Sequence, residues 1–78
     1  MSVRRYKVVL EFDREAGAWV TYVPALDNIS TFGDSRDEAL SNTRELIEGY
    51  IEAAGKEGME IPAATSETEL VDVEVAIA

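Results

Sequence analysis

Four carboxylates stand out as candidates for chemistry: Glu11 and Asp13 on one candidate strand, and Asp72 and Glu74 on another. A side-chain period of two puts each pair on one strand face. If the two strands are neighbours, the four could hold magnesium and cleave a phosphodiester. The alternative is a solvated sheet face with acids at every second position, and it is favoured because the chain has no histidine to complete a nuclease site. Ser30, Thr31 and Ser35 offer hydroxyls, but no base is present to activate them. Trp19, Tyr22 and Phe32 could stack on single-stranded nucleic acid, a mode that elsewhere needs a basic groove; without one, core and cross-strand packing account for them better.

The composition narrows the chemistry further. The chain has 78 residues, 7 Lys plus Arg against 16 Asp plus Glu, no His and no Cys, and a formal charge of -9. Without Cys or His there are no disulfides, thiolate nucleophiles, imidazole bases or thiolate zinc sites. No catalytic residue, cofactor site or metal site is therefore expected. The acids are unevenly spread: residues 1–44 carry six bases and seven acids, and residues 45–78 carry nine acids and only Lys56. Duplex DNA has a phosphate about every 1.7 Å of axis and repels such a surface, so direct nucleic-acid binding is not expected. Arg4, Arg5 and Lys7 form the one basic cluster and read as solubilising charge. An acidic surface favours encounter with a cationic protein. The exposed face of Glu45, Glu48 and Glu52, together with Asp72 and Glu74, is the candidate partner-binding surface.

The elements that would position these groups follow from periodicity. Tyr6 to Asp13 alternates, with Tyr6, Val8, Leu10 and Phe12 on one face, and reads as a first strand. Asp13 to Gly17 forms a hairpin loop into a second strand, Ala18 to Val23, which Pro24 ends. Asn28, tolerant of the left-handed region, turns the chain into a third strand, Ile29 to Phe32, closed by Gly33. Ser35 and Glu38 form an S-x-x-E capping box in which each side chain accepts from the other residue's amide. It opens an amphipathic helix of about five turns, from Ala39 to Ala54, with Gly55 and Gly58 near its end. Ile61 to Ser66 is a connector, and Leu70 to Ile77 alternates Val71, Val73, Val75 and Ile77 against Asp72, Glu74 and Ala76 as a fourth strand. The expected fold is α+β, two layers in the order β-β-β-α-β. It is a mostly antiparallel sheet of three or four strands with one helix packed on it, and the fourth strand lies beside the first or extends toward another protomer.

The ordered series Tyr6 to Phe12, Gly17 to Leu26, Gly33-Asp34-Ser35, Glu38-Ala39-Leu40, Asn42 to Glu45, Tyr50, and Gly58 followed by Ile61-Pro62 resembles the HicB-like antitoxins of type II toxin-antitoxin pairs. The resemblance implies a partial ribonuclease-H-like β-β-β-α-β domain. It also implies a non-catalytic chain that binds and neutralises a small basic mRNA-cleaving toxin of the HicA type. Asn28 stands where that family usually has glycine, which keeps the left-handed option open.

The sequence thus predicts one domain over residues 1–78 with no separate DNA-binding domain. The length also predicts a marginal core and hence a homo-oligomer, dimer or tetramer. No signal peptide or membrane span is visible, and a cytoplasmic location is expected. Two other functions fit the residues: a non-catalytic oligomeric interaction module without a toxin partner, and the carboxylate-metal nuclease. Pro24, Asn28, Gly33, Ser35 and Glu38 are expected to act structurally.

Overall fold

A computed structural model describes residues 3–62 and 68–78. The chain forms a three-stranded antiparallel sheet of β1 (Val9–Asp13), β2 (Ala18–Val23) and β3 (Ile29–Gly33) in the order β1-β2-β3, followed by α1 (Arg36–Lys56). The fold is α+β, with one helix laid across one sheet face, over β3 and β2.

The β1–β2 hairpin is set by its loop. Asp13 Oδ1 accepts from the amides of Glu15 and Ala16 at 3.0 and 3.2 Å, and Gly17, at φ 66°, donates its N–H to the Asp13 carbonyl at 2.8 Å. Only glycine adopts that φ without cost. The register pairs Phe12 with Trp19 and Leu10 with Thr21. Phe12 and Trp19 meet edge to face, with ring centroids 5.3 Å apart.

The β2–β3 connection is tighter. Pro24 opens a single 3₁₀ turn, Pro24–Leu26, where its missing N–H is not needed. Asp27 and Asn28 follow in the left-handed region at φ 56° and 55°, and the Asn28 N–H closes onto the Val23 carbonyl at 3.1 Å. Short polar side chains tolerate this region better than any others except glycine.

Helix α1 begins at Ser35, whose Oγ accepts from the Glu38 N–H at 3.1 Å. The return bond differs from the expected box: Glu38 Oε1 accepts from the Asp34 N–H at 2.9 Å, one residue upstream of Ser35. The carboxylate thus satisfies the loop before the cap. At the far end Gly58, at φ 69°, and the Met59 N–H on the Ala54 carbonyl terminate the helix.

The core is small and lies between β2, the 3₁₀ turn and α1: Val23, Leu26 and Ala39 are fully buried and Ala54 nearly so. Two hydroxyls share it. Thr43 Oγ1 donates to the Ala39 carbonyl at 2.7 Å and accepts from Thr21, whose alternative acceptor, the Thr31 carbonyl, is 3.4 Å away. This relay satisfies both buried groups, as burial requires.

Two expectations are corrected. The first strand is paired only from Val9, so Tyr6 to Val8 precede the ladder. The fourth strand, Leu70 to Ile77, is not formed: among the described residues that segment joins no sheet, and Val71, Val73, Val75 and Ile77 are 68% to 91% exposed. Its alternation is a requirement for a neighbour that the described residues do not supply. The connector's residues 63–66 lie outside the described residues.

Candidate protein-interaction surface

The acids of α1 are placed by helical geometry. At about 100° per residue, Glu45, Glu48 and Glu52 fall within roughly 60° of one another, on the side away from the buried Thr43. All three are exposed. Lys56 Nζ sits 3.3 Å from Glu52 in an exposed i, i+4 pair, an arrangement worth a few tenths of a kcal/mol. Glu45 and Glu48 have no ion-pair partner among the described residues. The helix therefore presents a rigid anionic face.

Asp72 and Glu74 are exposed as well, on the unpaired C-terminal segment. Among the described residues no hydrogen bond or ion pair ties them to the helical acids. The structure thus holds two separate acidic surfaces, one fixed on α1 and one on the segment. The four-carboxylate arrangement of Glu11, Asp13, Asp72 and Glu74 is not formed. Among the described residues no three acids come together where they could hold a metal ion. The reason is the missing β1 neighbour: Asp13 is engaged by the hairpin amides and Glu11 by Tyr22.

That last contact lies on the sheet face opposite α1. Tyr22 is diagonal to Glu11 across the β1–β2 ladder and donates its hydroxyl to Glu11 Oε1 at 3.1 Å. This bond, with smaller contributions from desolvation and from Glu11's charge, raises the phenol above its ordinary 10.0. The same face carries Val20 and Phe32, paired across β2 and β3, with Phe32 64% exposed. Trp19 lies on the helix side. The three aromatics are thus divided between the two faces and make no common stacking platform.

The hydroxyls set aside as nucleophiles have structural bonds: Ser30 Oγ donates to the Thr21 carbonyl at 2.7 Å, and Ser35 caps α1. Gly33 sits where the sheet hands over to the helix. A Cβ there would stand 2.9 Å from Ala39 Cα and closer still to its amide nitrogen. The Thr21–Thr43 relay and the left-handed Asp27 were not singled out from sequence. Thr43 carried a signal, a hydroxyl inside an apolar stripe, and Asp27 stood beside Asn28 in a turn.

A second feature missed from sequence is an open groove between the chain's N-terminal segment and the flank of α1. Its apolar lining is Val3, Val8, Leu40, Ile47, Ile51 and Ile61, and Arg4, Arg44 and Glu48 are its charged residues. Tyr6 closes one end by donating its hydroxyl to the Pro62 carbonyl at 2.9 Å. No helix among the described residues is long and apolar enough to cross a membrane.

Comparison with known proteins gives a consistent result. A family model described as the HicB-like antitoxin of bacterial toxin-antitoxin systems matches residues 5–78. The UPF0150 protein Ta0767 of Thermoplasma acidophilum is 40% identical over 63 residues, covering 81% of this chain and 90% of that protein. A UPF0150 protein of Thermotoga maritima is 33% identical over 57 residues, covering 72% and 76% respectively.

Proposed function

The chain belongs to the HicB-like antitoxin family, and from that premise we propose that it binds and neutralises a small, basic, mRNA-cleaving toxin of the HicA type. Family membership supports an antitoxin role, which is non-enzymatic. The observation that carries the finer reading is the exposed acidic face of Glu45, Glu48 and Glu52, fixed on a rigid helix and only partly neutralised by Lys56. A ribonuclease must present positive charge to hold RNA. A fixed negative surface would compete for that charge and speed the encounter. Asp72 and Glu74 would add a second contact. The chain would act as a homo-oligomer in the cytoplasm, without a cofactor and without touching nucleic acid itself.

The test is titration of a purified HicA-type ribonuclease with this chain, reading RNA cleavage and complex formation together. Stoichiometric inhibition is expected. Charge reversal, with Glu45→Lys, Glu48→Lys and Glu52→Lys combined, should slow association by about tenfold or more at low salt, with a smaller difference at high salt. Cleavage that continues undiminished, with no complex detected, would remove the reading.

A further inference from the structure

The C-terminal segment and the groove beside β1 are unsatisfied in complementary ways. Leu70, Val71, Val73, Val75 and Ile77 are at least 68% exposed, although a strand with this alternation needs one face covered. Meanwhile β1, an edge strand with β2 as its one neighbour among the described residues, leaves a row of backbone donors and acceptors open. Helix α1 lies over β3 and β2, and Phe12 on the β1 side of the same sheet face is 49% exposed.

The dimensions match. Val71 to Ile77 spans roughly 20 Å at about 3.3 Å per strand residue. Leu40 to Ile51, the helical side of the groove, spans roughly 16 Å at about 1.5 Å per residue. The charges match too. Arg4 and Arg44 outnumber the one acid of the groove, Glu48, and have no ion-pair partner among the described residues, and neither do Asp72 and Glu74 on the segment.

We propose that residues 70–77 of one copy lie along β1 and the Leu40–Ile47–Ile51 stripe of a second copy, each chain giving its segment and receiving the other's. The proposal deepens the self-association in the reading above and does not involve a toxin. A second copy is favoured over folding back because the segment stands off its own domain. The chain measures 51 × 28 × 20 Å, with a radius of gyration of 15.0 Å, where a compact chain of this length has about 11.5 Å. Helix α1 itself accounts for only roughly 31 Å of the long dimension. Exchange is reciprocal, so two grooves and two segments are satisfied at once and the assembly closes as a two-fold dimer. Covering five large apolar side chains and a groove in each copy removes surface on the order of the ~1,600 Å² of a standard interface.

The absence of natural cysteines makes the test clean. Full-length chains carrying Val73→Cys and Ile47→Cys singly are mixed, allowed to exchange subunits and treated with a short flexible bis-maleimide. The expected product joins position 73 of one chain to position 47 of the other, at twice the 8.6 kDa chain mass. In the V73C/I47C double variant at low concentration, a link confined to one chain would overturn the proposal. So would a wild-type chain that remains monomeric by light scattering, or a dimer that yields no 47–73 link. Val73→Asp with Val75→Asp should raise the dimer dissociation constant by about tenfold or more while leaving the helical circular dichroism intact. Because no toxin is present, failure here leaves the inhibition assay to stand or fall separately.

Discussion

Strand β2, the 3₁₀ turn after it and helix α1 bury their apolar faces against one another, so that Val23, Leu26 and Ala39 have no exposure at all, whereas Val71, Val73, Val75 and Ile77 keep most of theirs. Both regions have the alternation or periodicity of an amphipathic element. Between Val9 and Gly58 the turns bring each element back onto its neighbour: Gly17 reverses the hairpin, Asp27 and Asn28 reverse the next connection, and Ser35 starts the helix at the point where it crosses the sheet. Among the described residues no such device lies beyond Pro62. A hydrophobic pattern thus states what an element requires. The turns determine whether the same chain provides it.

The contrast is most severely tested at Leu26. Leu26→Ala should lower the unfolding free energy by about 3 to 4 kcal/mol, read by chemical denaturation. Val73→Ala should change the stability of dilute, monomeric protein by less than about 0.5 kcal/mol. A loss at Val73 that grows with protein concentration would be a loss of association.

Gly33→Ala should come next, at about 2 to 3 kcal/mol, because the new Cβ meets helix backbone that cannot move aside without shifting α1. A melting temperature unchanged by that substitution would show that the sheet-to-helix joint is looser than the packing indicates.

Thr43→Val should cost about 1 to 2 kcal/mol, since it leaves the buried Thr21 hydroxyl with only its long contact to the Thr31 carbonyl. The paired change Thr21→Val with Thr43→Val should recover part of that loss.

The smallest effect belongs to Tyr22. Its folded-state pKa is raised by the hydrogen bond to Glu11, so its contribution is fully present below about pH 10, the unfolded value. It is lost as pH rises through the folded value. Tyr22→Phe should therefore lower stability slightly across the neutral range and abolish the alkaline decline, so that the two proteins converge at high pH, as pH-dependent melting would report.

The scaffold was largely legible from residue types. Strand Ala18 to Val23 and the helix opening at Ser35 are read correctly because β-branched runs, a proline stop and an S-x-x-E cap act locally. The third strand ends one residue later than expected, at Gly33. Tyr6 to Val8 alternate like their neighbours but lack a ladder partner, a non-local fact that their pattern cannot express. The fourth strand fails for the same reason on a larger scale. Glu45, Glu48 and Glu52 were legible as one acidic face because helical spacing alone sets their direction. The groove beside β1 was not, because Val8, Leu40 and Ile51 converge only after the sheet and helix have packed.

The Tyr6 hydroxyl on the Pro62 carbonyl ties the segment before β1 to the stretch after α1 across 56 positions. Loosening either one therefore loosens the other. A protease that cut past Tyr6 would release the chain at Pro62 as well.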